Sequence, residues 1–276
     1  MSGMLPRIIA TDLDGTFLDP QGTYDRERFD RLLAQLDQRG SRVVIATGDP
    51  LDHVHDLFGD LRHAKLLTYI VEDGAMIVDG AGNVLQVRQI PRDLCQFAIR
   101  WIQSSPDLAS NYLITCGARQ SYTELAADSP RFRASRKFYP GLTSVPDLLD
   151  VEDEILKLDV TWEHDDVFAQ VAAFNRQFAG QLLGTSSGLG GMNVTLPTVS
   201  KGNALSLLQQ YWGVTTTEMA AFGDSGNDLA MLQQVGEGIA MANAAPEVLA
   251  LISRHTDQTN QHPVVLDQLD QWLGNR

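Results

Sequence analysis

Ile8-Ile9-Ala10-Thr11-Asp12-Leu13-Asp14-Gly15-Thr16 is an apolar strand running straight into two aspartates one residue apart. Residues i and i+2 of a strand share a face, so both carboxylates are expected to leave the strand end on the same side. Two like charges this close repel unless a cation or a shared proton compensates them. Gly15 permits a sharp turn, and Thr16 adds a hydroxyl and a backbone N–H. A strand followed by an ordinary Asp-Gly turn is the plain alternative. An EF-hand loop is excluded, because its glycine belongs at the sixth position and its glutamate at the twelfth, where this chain has Thr23.

Outward from this stretch, the first eighty residues alternate strand and helix. Tyr24–Arg39 carries Phe29, Leu32, Leu33 and Leu36 at helical spacing, and Gly40 follows as a stop. Val43–Thr47 is a continuous apolar strand, and Asp49-Pro50 reads as an N-cap with proline at the first helical position. Tyr69–Glu72 reads as a strand, and 75–79 with 83–88 as a hairpin about Gly80-Ala81-Gly82. Apolar strands alternating with helices indicate a parallel sheet covered on both faces.

Residues 86–195 change character. Helical patterns at 91–103 and 164–179 alternate with strands near 111–116, 155–162, 181–184 and 191–196. Lys157, Asp159 and Thr161 alternate with apolar neighbours, which predicts an antiparallel sheet with one face covered by helices. Gly184–Gly191 is glycine- and serine-rich but lacks the Gly-Lys-Ser/Thr ending of a P-loop, so a loop or hairpin connection is expected there. From Lys201 the α/β rhythm returns: a helix over Lys201–Trp212, a strand over Met219–Gly223, a helix over Asn227–Val235, a strand over Gly238–Met241, and helices near 245–252 and 263–273. The expected architecture is α/β: a core of residues 1–85 and 196–276 with a parallel sheet, interrupted by an inserted α+β domain, 86–195.

The 276 residues carry 21 basic and 35 acidic side chains, a net charge of −14, which repels phosphate backbones and anionic lipid. Neither nucleic acid nor membrane is expected as a partner. Cys95 and Cys116 show no zinc or disulfide spacing and read as idle reduced thiols. Met1–Pro6 is too short for a signal peptide and no apolar run reaches membrane-spanning length, so a cytoplasmic location is expected.

Four polar clusters stand beyond strands or at helix starts: Asp12/Asp14, Thr47-Gly48-Asp49, Ser200-Lys201, and Asp224-Ser225-Gly226-Asn227-Asp228. In open α/β sheets ligands gather at the carboxyl ends of the strands, where such clusters could converge. Lys201 lies in the first turn of its helix, where the macrodipole disfavours a cation; a bound phosphate would remove that penalty, and a solvated lysine after a Ser200 N-cap is the alternative. Gly223-Asp224-Ser225-Gly226 misses the Gly-x-Ser-x-Gly spacing and has no partnering histidine motif, which argues against serine catalysis. His53 and His55 point apart on a helix and do not form a metal pair. Ser121, Tyr122 and the cluster Arg131, Arg133, Arg136 and Lys137 read as solvated surface, with contact to a substrate as the alternative.

Asp12-x-Asp14-Gly-Thr, Thr47-Gly48, Lys201-Gly202 and Gly223-Asp224-x-x-Asn227-Asp228 resemble, in order, the four motifs of the haloacid dehalogenase-like (HAD) superfamily. The inserted region resembles the cap of its Cof-type branch. Thr-Asp-Leu-Asp-Gly-Thr-Phe-Leu, Gly117–Tyr122 and Gly-Asp-Ser-Gly-Asn-Asp resemble the bacterial sugar phosphatases of that branch. The resemblance spans nearly the whole chain and implies a Rossmann-like core with a specificity cap, and a phosphatase of small phosphorylated metabolites, most of all sugar phosphates. It implies Asp12 as nucleophile, forming an aspartyl-phosphate, and Asp14 as acid/base. It further implies Mg²⁺ held by the Asp12 and Asp224 carboxylates and the Asp14 backbone carbonyl, with Thr47, Gly48, Lys201 and Asn227 toward phosphate or substrate and Asp228 in support. A phosphohexomutase and a catalytically silent sugar-phosphate-binding protein are the alternatives. Two positions depart from the branch: Asp49 stands where arginine is usual, and Asp73 where asparagine is.

Overall fold

The computed structural model describes residues 5–164, 166–187 and 190–275. In chain order the first third holds strand β1 (Ile8–Thr11), helix α1 (Arg26–Gln38), β2 (Arg42–Ala46), α2 (Leu51–Phe58), β3 (Leu67–Val71), β4 (Met76–Asp79) and β5 (Val84–Val87). The middle holds α3 (Arg92–Ser104), β6 (Tyr112–Gly117), β7 (Ser121–Thr123), α4 (Pro130–Ser135), β8 (Thr143–Ser144), β9 (Ile155–Thr161), α5 (Phe168–Gln177), β10 (Leu183–Ser186) and β11 (Gly191–Thr195). The last third holds α6 (Lys201–Trp212), β12 (Met219–Gly223), α7 (Leu229–Gln234), β13 (Glu237–Ala240), α8 (Pro246–Leu251), β14 (Arg254–His255) and α9 (Val264–Leu273). Residue contacts divide the chain into two units: Met1–Gly48, His55–Gln86 and Ser200–Arg276 form the first, Asp49–Val54 and Val87–Val199 the second.

The first unit is built on a sheet of order β14-β13-β12-β1-β2-β3-β4-β5. Its strands pair in parallel from β14 to β3, and β4 turns back antiparallel on β3. Strand periodicity sends Ile8, Ala10, Val44 and Ala46 to one face, where they pack with Ala204, Leu205 and Leu208 of α6 and Met231 and Leu232 of α7. On the other face the Trp272 ring of α9 lies 5.9 Å from that of Phe222. Arg28 of α1 donates to Asp267 (2.7 Å) and Asp270 (2.9 Å) of α9, tying those helices together.

In the second unit the sheet order is β10-β11-β9-β6-β7-β8, antiparallel except for β7 with β8. Ala98, Ile99 and Ile102 of α3 and Phe174 of α5 cover one face through Leu113, Leu158, Val160 and Met192. The second face departs from the expectation of a bare polar surface. Ile114 and Cys116 pack there with Phe132, Tyr139 and Leu142. Polar alternation along β9 is satisfied by side-chain partners instead of water: the Tyr139 hydroxyl donates to Asp159 (2.6 Å) and Arg131 to Thr161 (2.6 Å), and Lys157 is buried. Arg136 donates to the Pro140 carbonyl, and the Lys137 ammonium sits over the Phe138 ring, so those cations are engaged locally. β10 and β11 form the hairpin expected at Gly184–Gly191, although Gly188 and Leu189 lie outside the described residues, as do Met1–Met4.

Helix α2 starts one residue later than the Asp49 cap predicts. Its first helical bond runs from the Val54 N–H to the Pro50 carbonyl (3.3 Å), which gives proline the capping position. Both cysteines are buried, and burial pushes the Cys95 thiol up to about 12. Among the described residues no helix is long and apolar enough to cross a membrane.

Gly202 fixes how α6 meets α7. A Cβ there would lie 2.7 Å from the Ala230 carbonyl carbon, closer than packed atoms tolerate. Gly202→Ala is therefore expected to wedge the two helices apart and lower stability by about 1–3 kcal/mol. An unchanged midpoint in urea denaturation would refute this packing account.

Candidate active site

Strands β12, β1 and β2 are neighbours, so their carboxyl ends lie side by side. Asp12 follows β1, Thr47 and Gly48 follow β2, and Asp224 follows β12. This is the position at which open parallel sheets bind ligands. Lys201 is the first residue of α6, and the Ser200 side chain caps that helix by accepting from the Asn203 N–H (3.1 Å).

The Lys201 ammonium is the hub. Its Nζ donates to Asp12 Oδ1 at 2.6 Å and to Asp228 Oδ1 at 2.7 Å, and its side chain is 1% exposed. A solvated lysine is thereby excluded. A buried cation at the positive end of a helix is unfavourable alone, and two carboxylates at contact distance offset both costs. Burial works against the ammonium, the charges of Asp12 and Asp228 outweigh it, and the net result holds the lysine above its ordinary value.

Asp228 is fully buried and saturated with donors. Besides Lys201 it accepts, through Oδ2, the N–H groups of Asp224 (2.9 Å) and Ser225 (3.0 Å). The Ser225 hydroxyl donates to Asn227 Oδ1 (2.6 Å) within the same turn, a capping role unlike that of a nucleophile.

Leu13–Phe17 form a tight turn immediately after β1. Gly15 has φ +79°, and a Cβ at that position would meet Asp224 Oδ2 at 2.3 Å, so only glycine lets the turn close onto the Asp224 carboxylate. The Thr16 hydroxyl reaches the same carboxylate (3.2 Å to Oδ1). The two opening aspartates separate here. The ladder of β1 ends at Thr11, so strand periodicity does not carry through to Asp14. Asp12 is buried at 6% exposure, whereas Asp14 is exposed.

Carboxylate oxygens of Asp12, Asp224 and Asp228 lie within 4.8 Å of one another. Burial first, then the Asp228 charge, raises the Asp12 carboxyl well above its ordinary value, with Lys201 opposing. The same two causes lift Asp224 to about 6. Three carboxylates around one ammonium are short of positive charge, and hard oxygen donors of this kind suit Mg²⁺. Since both Asp228 oxygens already accept hydrogen bonds, Asp12 and Asp224 are the side chains fitted to hold such an ion.

Asp73 completes the wall beside Thr47 and Gly48. Its N–H donates to the Thr47 carbonyl (3.1 Å), and its Oδ1 accepts from Asn227 Nδ2 (2.8 Å). The structure thus links Asp12, Lys201, Asp224 and Asp228 directly, and joins Thr47, Gly48 and Asn227 through Asp73. Sequence reading marked Asp73 only as a departure from the branch's usual asparagine and left its role open. Nor did it single out Asn243, whose Nδ2 donates to the Gly15 carbonyl (2.8 Å) and whose Oδ1 accepts from the Asn260 N–H (3.1 Å). For Asn243 no signal stood out, because an amide near a turn is common everywhere.

Comparison with known proteins agrees with this architecture. The family model for haloacid dehalogenase-like hydrolases matches residues 9–266. The chain is 30% identical over 268 residues to the 5-amino-6-(5-phospho-D-ribitylamino)uracil phosphatase YbjI of Escherichia coli K12, covering 97% of this chain and 96% of that one. It is 27% identical to the HMP-PP phosphatase of Serratia proteamaculans, over 97% and 95% of the two chains. The crystal structure of SMU.1108c from Streptococcus mutans UA159 superposes with a TM-score of 0.89 at 30% identity, covering 98% of this chain and 99% of that one. Matched along almost its whole length by that family model and by a phosphatase at 30% identity, the chain belongs to the haloacid dehalogenase-like hydrolases, as a phosphoric monoester hydrolase.

Proposed function

We propose that the chain hydrolyses phosphate monoesters of small polyhydroxylated metabolites, sugar phosphates above all, through an aspartyl-phosphate on Asp12. The observation that carries this reading is the buried Lys201 bridge, which holds Asp12 beside a carboxylate cluster at the strand ends. A relative named for a substrate bearing a 5-phospho-D-ribityl group supports the polyol character of the alcohol. We assign recognition of that alcohol to the second unit, which comprises Asp49–Val54 and Val87–Val199.

A carboxylate nearing a phosphate oxygen at ~4 Å is repelled by ~4 kcal/mol per unit charge pair at an effective dielectric of 20. Lys201 offsets part of this. Asp12, Asp224 and the Asp14 backbone carbonyl would hold Mg²⁺, which when bound supplies further positive charge to the phosphoryl oxygens. Thr47, Gly48 and Asn227 orient the phosphoryl group. The Asp12 carboxylate attacks phosphorus as the bond to the ester oxygen breaks, and Asp14 gives its proton to the departing oxygen. The Asp14 carboxylate then takes a proton from water. That water's oxygen bonds to phosphorus as the bond to Asp12 breaks, releasing inorganic phosphate and restoring both aspartates. Asp228, by holding Lys201 and the turn after β12, positions the cation and takes no part in the bond changes.

Asp12→Asn is expected to abolish release of phosphate from p-nitrophenyl phosphate while leaving the circular dichroism spectrum unchanged. Undiminished turnover in that variant would overturn the assignment. Asp14→Asn is expected to lower kcat by about 10²–10⁴-fold through loss of the acid/base step, with Mg²⁺ affinity retained. A variant that lost Mg²⁺ binding along with turnover would contradict the division of roles.

Removing divalent cations with a chelator is expected to stop turnover, and adding Mg²⁺ to restore it. Because the Asp224 carboxyl titrates near 6, proton and cation compete for it below that pH. Mg²⁺ affinity measured by titration calorimetry should therefore weaken as pH falls from 7.5 to 5, with proton uptake by the site displacing the ion. A pH-independent affinity over that range would refute the competition.

A further inference from the structure

Asp73 occupies a place that turn chemistry alone does not explain. Glu72 and Asp73 are consecutive non-glycine residues with left-handed φ, +50° and +58°, and both are buried. Such backbone is strained for residues with a side chain and persists where surrounding structure enforces it. Here the following turn is enforced by close packing: a Cβ on Gly74 would lie 2.4 Å from the Ser200 carbonyl oxygen, immediately before Lys201. The consequence is that the Asp73 carboxylate is delivered into the wall of the site. A Cβ on Gly48 would lie 3.1 Å from Asp73 Oδ1, Asn227 Nδ2 donates to that oxygen at 2.8 Å, and the Asp73 charge acts on Lys201.

Asp12, Asp14, Asp224 and Asp228 already serve nucleophile, proton, cation and lysine. A fifth carboxylate, beside the groups assigned to the phosphoryl oxygens, adds negative charge where an anion must bind. Asparagine would accept the same bond from Asn227 and would suit the left-handed backbone at least as well. What aspartate contributes beyond asparagine is its charge.

We propose that Asp73 is a specificity-determining residue: its charge sets an anionic wall on the phosphate pocket, so the site favours monophosphates of neutral or cationic alcohols, disfavours esters with a second anionic group near the phosphate, and holds product phosphate weakly. The inference rests on the phosphatase reading above. Asp73 also positions Asn227 through its hydrogen bond, and this second role is separable from the charge.

Two variants separate them. Asp73→Asn removes the charge and keeps the acceptor; Asp73→Gly keeps the backbone at no conformational cost and removes both. The probes are inorganic phosphate as inhibitor, and the pair glycerol 2-phosphate and 2-phosphoglycerate, which share a skeleton and differ by a carboxylate next to the ester carbon. In Asp73→Asn, Ki for phosphate should fall about tenfold, and the preference in kcat/KM for glycerol 2-phosphate over 2-phosphoglycerate should narrow about tenfold, as for one unit charge removed at short range in a partly screened site. Asp73→Gly should tighten phosphate in the same way while lowering kcat through the unheld Asn227. If both folded variants bind phosphate as the parent does and keep its substrate preference, the inference is overturned. If the parent itself releases no phosphate from any ester, the failure belongs to the phosphatase reading, and phosphate affinity measured calorimetrically on parent and Asp73→Asn in Mg²⁺ still decides the role of the charge.

Discussion

A single buried ammonium organises the site. Lys201 ties the residue after β1, Asp12, to the turn after β12, Asp228, through bonds of 2.6 and 2.7 Å. Removing the lysine would leave two carboxylates facing each other in a dry interior, which is far more costly than the modest net value of either pair. Nothing in helix propensity favours a lysine at the first position of α6. The sheet order β12-β1-β2 is what makes the arrangement possible, because it sets both carboxylates against the start of that helix.

The bridge leaves the centre unbalanced, and that imbalance is its chemical content. Lys201 satisfies one oxygen each of Asp12 and Asp228, the backbone of Asp224 and Ser225 satisfies the other oxygen of Asp228, and the closed Gly15 turn presses Asp224 against the cluster. Both Asp12 and Asp224 are consequently held with carboxyls easier to protonate than in water. A group in that condition gains most from a hard cation, and a cation so held leaves its charge facing whatever anion approaches. Fold and chemistry meet in this electrostatic shortfall.

Much of this was legible in the residues. β1, β2, β12 and α6 announce themselves by apolar runs and a serine cap, and α6 and β12 have the predicted bounds. Short elements such as α4, β7, β8 and β14 were not legible, because two to six residues carry too little periodicity to rise above loop composition. The second face of the inserted sheet was misjudged for a different reason: alternation along β9 signals a polar face, but not whether water or Tyr139 and Arg131 will satisfy it. Lys201 could be flagged as misplaced by its helix position, but its partners stand 189 and 27 residues away, and only the family resemblance pointed to Asp228 as one of them. The role of Asp73 was hidden most completely. Asp-Gly reads as a turn in any sequence, and only the folded chain brings that carboxylate to Asn227, 154 positions distant.

The opening pair of aspartates shows why spacing and role diverge. Strand geometry assigns Asp12 and Asp14 one face and, by implication, one environment. The chain leaves the ladder at Thr11, however, and the turn over Leu13–Phe17 places two identical side chains on opposite sides of the solvent boundary. Asp12, buried against Lys201, is fixed in position and poorly hydrated, conditions that suit a nucleophile aimed at one atom. Asp14, exposed, keeps access to water and to protons, conditions that suit an acid that must act on a departing oxygen and later on a solvent molecule. Asn243 holds the carbonyl of Gly15, directly after Asp14, so the turn that separates the two environments is itself pinned from outside the motif. The division of labour proposed for the two aspartates is therefore a property of the turn, and exchanging the two environments would require rebuilding the turn.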